Sequence, residues 1–295
     1  TYRLIEKRRP LPSNCKKGFF MKVGVAMFCT DYAMPSTELA VSLEARGFES
    51  LWLPEHSHIP LSRISPFPPG GDLPKKYYDV LDPFVALGAA AAVTISLKLA
   101  TGICLVAQRD AIQTAKAVAS LDQISGGRFL FGIGPGWNRD EMENHGILFK
   151  SRMNVMREKV AAMREIWTQS EPEFHGAFVD FDPMVTSPKP IQKPHPPVIV
   201  GGGVPHGAQR ALAYGDGWVP NAMRPNYRLL DRMSEYREME KAVGRSVPIT
   251  AFGVEHDPEF WGAYEDAGID RIILSMPSEP ADTILPMLDR WAVSL

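Results

Sequence analysis

The chain has 295 residues, 45% hydrophobic and 22% charged, the profile of an ordinary globular enzyme rather than a disordered or fibrous chain. Its 32 basic and 34 acidic side chains leave a formal charge of −2, which gives no field to hold a nucleic acid backbone. Three cysteines (Cys15, Cys29 and Cys104) are odd in number, far apart and without a CxxC pair, so unpaired thiols in a reducing, cytoplasmic compartment are expected rather than a zinc knuckle.

Residues 1–20, TYRLIEKRRPLPSNCKKGFF, carry six Lys or Arg and lack the apolar core of a signal peptide. They read as a basic arm or extension, with Met21 a candidate natural start and 21–295 a single domain. From Met21 onward strands and helices alternate. KVGVAMFC (22–29) is a short apolar run suited to a buried parallel strand, and STELAVSLEARG (36–47) has helical spacing, a Ser/Thr cap and a closing glycine. SLWL (50–53) is the second strand, and a proline-rich insert separates it from the helix DPFVALGAAAAV (82–93). LKLATGICLV (97–106) is a third strand. The greasy stretch from Phe84 to Ala107 is broken by Thr94, Ser96 and Lys98, so no membrane span is expected there.

AIQTAKAVASLDQISGG (111–127) reads as a helix and RFLFGIG (128–134) as the fourth strand. NVMREKVAAMREIW (154–167) is a strongly amphipathic helix, followed by a polar hairpin-like excursion near 172–187. PPVIVGGG (196–203), DGWVPN (216–221), VPITAFGV (247–254) and RIILSM (271–276) supply four more strands. Between and after them, helices are expected at 208–215, 227–244, 258–268 and 280–293. Eight strand–helix units predict an α/β protein, a (β/α)8 TIM barrel with insertions after strands 2 and 4. A doubly wound open sheet is the competing arrangement.

Such barrels carry their chemistry on the loops after the C-terminal strand ends. After strand 2 the chain offers Glu55, His56 and His58; after strand 3, Gln108, Arg109 and Asp110; after strand 4, PGWNRDE; after strand 6, Asn221 and Arg224. His56 is the candidate catalytic residue, because an imidazole exchanges protons near neutral pH and a neighbouring carboxylate can hold its tautomer. The bland reading of His58 is a hydrogen-bonded structural histidine. A zinc site built from His56 and His58, as in a metal-dependent hydrolase, would need further ligands on later strand ends, and the remaining histidines are badly placed to supply them. No metal is expected.

Strand, glycines and helix in VIVGGGVPHGAQRA leave free backbone N–H groups and a helix dipole aimed at one point, which suits a phosphate or other anion. FGIGPGWN resembles a dinucleotide fingerprint, but its glycines fall at 132, 134 and 136 and no helix is expected to follow at once. It reads instead as a loop lying against a flat ligand, with Trp137 as a wall.

Taken together, SLWLPEHSHIP, LATGICLVAQRD, LDQISGGRFLFGIGPGWNRDEMENHGI, SPKPIQKPHPPVIVGGG and ALAYGDGWVP resemble the bacterial luciferase-like monooxygenase family, and more closely its branch using the deazaflavin coenzyme F420. The resemblance runs over roughly 22–220 and fades afterwards. It implies an oxidoreductase that uses F420, or FMN as second choice, on a small-molecule substrate, and that forms homodimers. It also implies that His56 acts near the reactive carbon of the ring, with Glu55 in place of a common aspartate. A non-proline cis peptide at Gly102–Ile103 would prop the ring, Leu105 would border it, and Pro135, Gly136 and Trp137 would face it. Gly201, Gly202 and Gly203 would hold the tail phosphate. Trp137 stands where sugar-phosphate dehydrogenases of the family carry a glutamate, which points away from that substrate. It also leaves open a barrel that binds cofactor without turnover. The insert 58–80, with Phe67, Tyr77 and Tyr78, is either a lid over the pocket or a cap against a partner subunit.

Overall fold

The computed structural model describes residues 21–295, so the basic arm lies outside the described residues. Eight parallel strands form the sheet: β1 (Lys22–Ala26), β2 (Ser50–Leu53), β3 (Lys98–Thr101), β4 (Phe129–Ile133), β5 (Val198–Gly201), β6 (Gly217–Val219), β7 (Thr250–Val254) and β8 (Arg271–Ser275). The order runs β7, β8, β1 and on to β6, each strand paired with the next, and β8 returns to β1 with Lys22 opposite Arg271. Between β6 and β7 the ring is held by bridges at Trp218–Ile249 and Asn221–Phe252 and by Trp218 N–H donating to Pro248 O at 2.9 Å. The result is a nearly closed α/β barrel.

Helices α1 (Ser36–Arg46), α2 (Pro83–Ala92), α3 (Ala111–Ile124), α4 (Arg139–Asn144), α5 (Arg152–Thr168), α6 (His206–Tyr214), α7 (Met233–Val243), α8 (Pro258–Asp266) and α9 (Ala281–Ala292) follow the strands. Their starts follow from local chemistry. Asp82 accepts from the N–H groups of Phe84 and Val85 ahead of α2, and Asp110 accepts from Gln113 N–H ahead of α3. Gly47 stops α1 in the left-handed conformation, φ 86°. Between strands and helices lies the main apolar layer, including Leu51, Leu99, Phe129, Phe131 and Trp167. A smaller cluster fills the barrel interior: Ala26, Trp52, Ala100, Leu130, Ile199, Val219 and Ile273. Trp52 is fully buried there, and its indole N–H donates to Ser50 Oγ at 2.8 Å.

Three sequence expectations need correction. The expected helix over 227–244 begins only at Met233, because Pro225 and Asn226 (φ 59°) close a short hairpin between Met223–Arg224 and Tyr227–Arg228. The third strand ends at Thr101, since the chain leaves extended geometry at a cis Gly102–Ile103 bond and then forms a turn at Val106–Gln108. A helix does follow the GIGPGWN loop almost at once: α4, whose Asp140 and Glu141 complement the positive end of its dipole. The excursion near 172–187 is an antiparallel pair, Phe174–His175 with Asp180–Phe181. Among the described residues no helix is long and apolar enough to cross a membrane.

Candidate active site

All eight strands contribute to a cavity of about 330 Å3 at the C-terminal mouth of the barrel, through residues such as Met27, His56, Ile103, Trp137, Gly202, Asn221, Phe252 and Met276. This follows from parallel strands of similar length closing into a ring, which gathers the loops after them at one end. Glu55, Gly102, Leu105, Pro135, Gly136 and Gly201 line the same cavity. Gly203 does not; it borders an adjoining pocket with Val204, Arg210 and Tyr227.

The cavity floor depends on close packing of glycines around Ile103. A Cβ on Gly134 would come within 1.8 Å of Ile103 Cδ1, and one on Gly201 would lie 3.3 Å from the same atom. Larger residues at either position would push Ile103 out of place. The glycines of the fourth and fifth strand ends therefore let one side chain from the third cross between them.

His56 is buried, and its Nδ1 lies 2.7 Å from Glu141 Oε2. Glu141, on α4, is fully buried, and its other oxygen accepts from Ser57 N–H at 3.1 Å. The carboxylate that orients the imidazole is thus Glu141 and not the adjacent Glu55. Consecutive residues leaving a strand point in different directions, and Glu55 turns toward β3. There it accepts from Leu105 N–H at 2.6 Å and pairs with Arg109, whose guanidinium also reaches Asp82. With Nδ1 occupied by Glu141, Nε2 is the ring nitrogen left to meet a ligand in the cavity.

Aromatic rings wall the imidazole. Tyr77 lies 5.3 Å from the His56 ring centroid, and Trp137 5.8 Å from it, edge-on. Phe67 reaches both, at 5.2 Å from Tyr77 and 6.0 Å from Trp137, and Phe28 packs 4.5 Å from Tyr77. The 58–80 insert thus brings Tyr77 into the cavity lining, with Phe67 packed on Tyr77 and Trp137 and lining an adjoining pocket. Burial pushes the Tyr77 phenol pKa up, with Arg224 partly offsetting it.

The rim is cationic. Lys76, Arg210 and Arg224 all line the cavity, while its acidic lining residue among the described residues, Glu55, is paired with Arg109. Arg210 projects from α6, with Nη2 3.1 Å from the position of a Cβ on Gly202. Its buried Nε has no hydrogen-bond partner among the described residues. Burial lowers the pKa of Lys76, whose Nζ sits 4.9 Å above the Phe28 ring. A cluster of guanidinium and ammonium groups whose lining carboxylate is already paired with Arg109, beside the backbone N–H groups at Gly202–Gly203, is suited to a multiply charged anion.

His58 is not at the cavity. Its Nδ1 lies 2.9 Å from Ser57 Oγ and its Nε2 2.9 Å from Asn144 Nδ2, so both ring nitrogens are engaged away from His56. Sequence reasoning missed Lys76 and Arg210, gave Glu141 no role of its own, and marked Tyr77 only as an aromatic of a lid or cap. Glu141 lay within the PGWNRDE run, and the acids following Asn138 were a readable helix-start signal. Arg210 lay one turn behind the glycine loop on a predicted helix. Nothing local marked Lys76, which reaches the mouth with Tyr77 only because the long insert folds back over it.

The luciferase-like monooxygenase family model matches residues 31–257. The chain belongs to the luciferase-like monooxygenase family. An uncharacterized protein of Mycobacterium tuberculosis is 36% identical over 281 residues, covering 93% of this chain and 99% of that protein. Two solved structures share the fold of this luciferase-like protein. The coenzyme F420-dependent tetrahydromethanopterin reductase of Methanopyrus kandleri aligns with TM-score 0.69 and 18% identity, over 91% of this chain and 96% of that one. The oxygenating constituent of 3,6-diketocamphane monooxygenase of Pseudomonas putida, in complex with FMN, aligns with TM-score 0.62 and 18% identity, over 85% and 80%. The family places this chain among oxidoreductases and monooxygenases.

Proposed function

We propose that this protein is an oxidoreductase that exchanges a hydride between coenzyme F420 and a small organic substrate. One observation carries the choice of cofactor: Lys76, Arg210 and Arg224 stand around a cavity whose lining acid is already neutralised by Arg109. F420 bears a phosphodiester and glutamyl carboxylates, whereas FMN bears a single phosphate, so three uncompensated cations suit F420 better. Two fold neighbours, one F420-dependent and one holding FMN, support a redox cofactor of this general shape.

In this reading Gly102, Ile103 and Leu105 lie behind the ring, with Pro135, Gly136 and Trp137 beside it. Gly201, Gly202, Gly203 and Arg210 hold the phosphate, and the unpartnered Arg210 Nε is the donor that fits it. When bound, the deazaflavin supplies a carbon that gives or takes a hydride. His56 supplies or removes the matching proton at Nε2, and Glu141 holds its ring. Phe67, Tyr77 and Trp137 exclude water and suit a bulky apolar or aromatic substrate, such as an enone or imine. The chain acts as one barrel domain over 21–295 and pairs as a homodimer.

The experiment is a pair of titrations of purified apoprotein, with F420 and with FMN, followed by cofactor fluorescence. F420 is expected to bind more tightly. Tighter FMN binding would transfer the reading to an FMN-dependent monooxygenase, and no binding of either would remove it.

A further inference from the structure

We propose that the pocket adjoining the main cavity is the subsite for the substrate's body, and that Arg228 binds a carboxylate there. The substrate class is then an aromatic or bulky apolar carboxylic acid. The inference rests on the reading that a deazaflavin fills the main cavity. That cavity, about 330 Å3, stands at the small end of the roughly 300–1,000 Å3 usual for ligand sites. A tricyclic ring and its ribityl chain leave little of it for a second molecule, so the substrate needs room elsewhere.

Such room adjoins it. A pocket of about 470 Å3 shares Tyr77, Trp137, Asn221 and Arg224 with the main cavity. Phe67, Pro68, Pro69 and Met223 complete an apolar wall with Tyr77 and Trp137. Those two shared rings are the ones packed against His56, with centroids 5.3 Å and 5.8 Å from it. A molecule lying on Phe67 and the prolines therefore has its path to the imidazole between Tyr77 and Trp137. The pocket exists because two segments distant in sequence meet over the mouth. The insert after β2 supplies Phe67 and Tyr77, and the hairpin after β6 supplies Met223, Arg224, Tyr227 and Arg228.

The charged groups of this lining are Arg224 and Arg228, and no carboxylate lines the pocket among the described residues. Neither guanidinium is in an ion pair among those residues. The two differ in place. Arg224 also lines the main cavity and the pocket at Gly203 and Arg210, where the proposed function puts the cofactor's anions. Arg228 lines neither of those spaces. It is a cation at the edge of an apolar surface, and a planar guanidinium meets a carboxylate through two parallel N–H bonds. An apolar wall with one placed charge suits an amphipathic acid.

The glutamyl carboxylates of F420 share this chemistry, and the pocket at Gly203 adjoins this one through Pro68, Pro225 and Tyr227. The wall favours the substrate. A glutamyl chain laid on Phe67, Pro68, Pro69 and Met223 would cover its amides with side chains that offer no hydrogen-bond donors, which costs desolvation energy. An aromatic or aliphatic body gains from the same contact.

The test titrates naphthoate and its uncharged isostere naphthamide, by calorimetry, into apoprotein and into protein saturated with F420. Naphthoate is expected to bind at least about tenfold more tightly than the amide, because it adds a charge-assisted hydrogen bond. Arg228→Met is expected to abolish that preference and Arg228→Lys to keep part of it. Phe67→Ala should weaken both ligands by a similar factor and leave the preference, since it removes wall and not charge. Equal affinity for the two ligands in the wild type, an unchanged preference in Arg228→Met, or unchanged affinities in Phe67→Ala would overturn the proposal. So would naphthoate binding that complete F420 blocks and F420 lacking its glutamyl residues permits, because the tail would then occupy Arg228. F420 titration reads the parent proposal separately: failure to bind removes the proposed function, while the apoprotein titrations still decide the acid subsite.

Discussion

His56 Nδ1 and Glu141 Oε2 lie 2.7 Å apart although 85 positions separate them in the chain. The contact joins the end of β2 to a helix in the loop after β4, and both partners are buried. A buried carboxylate against an imidazole fixes which ring nitrogen faces the ligand.

Removing either partner should therefore affect turnover more than cofactor binding. His56→Ala and Glu141→Gln are each expected to lower the steady-state rate by about 10²-fold or more, a usual general acid–base contribution. F420 affinity should change little, because the phosphate-facing groups are elsewhere. Rates measured on any substrate found by screening, together with fluorescence titration, check this. An unchanged rate in both variants would take His56 out of the chemistry.

Arg210→Gln removes the guanidinium beside Gly202 while keeping a hydrogen-bonding side chain. Loss of a hydrogen bond to a charged group costs about 1.5–3 kcal/mol, or roughly 10- to 150-fold in Kd for F420. The fluorescence titration used for the wild type reads this. Equal affinity in wild type and variant would mean that the tail anion binds elsewhere.

Gly132→Ala should destabilise the barrel itself. A Cβ at this position would fall 2.0 Å from Thr101 O, a backbone atom that cannot swing aside, and 3.3 Å from the Trp52 ring. Overpacking of this kind costs about 1–3 kcal/mol or more. Urea unfolding followed by tryptophan fluorescence is expected to show a lower midpoint, and an unchanged midpoint would refute the close packing described between β3 and β4.

The acid limb of the stability profile should depend on Glu44. Partial burial would raise its pKa, but N–H groups of Ser96, Leu97 and Ile95 and the Ser96 hydroxyl outweigh that and hold the carboxyl at about 2. A group whose folded pKa is depressed stabilises above its unfolded value and loses that stabilisation as pH falls toward the folded one. The Glu44 contribution is therefore present above the ordinary carboxylate range and fades from about pH 4.5 toward about pH 2. Glu44→Gln is expected to be less stable than wild type at pH 6 but to lose less stability on acidification, as read from urea midpoints at pH 6 and pH 3. Parallel pH profiles would contradict this.

The barrel was legible because its strands are short, mostly buried apolar runs and its helices carry ordinary caps, such as Asp82 before Pro83 and Gly47 after Arg46. Those signals are local and survive without tertiary context. The hairpin at 223–228 was not legible, because Tyr227, Leu229 and Leu230 carry helical spacing that the Pro225–Asn226 turn overrides. The site was half legible. His56, Trp137 and the glycine turns stand directly after strands, so the barrel rule found them. Lys76 and Tyr77 belong to an insert with no periodicity, and only its path over the mouth gives them a place.

By itself, the sequence determined the strand–helix alternation, the end of the barrel where ligand-facing residues gather, and the family. It did so because hydrophobic period, caps and glycines act over a few residues. Which carboxylate meets His56 was decided only by the tertiary structure. Glu55 and Glu141 are both acids in loops after strands, and their chemistry does not separate them. Direction does: Glu55 leaves β2 toward Arg109, while α4 carries Glu141 back beneath the imidazole.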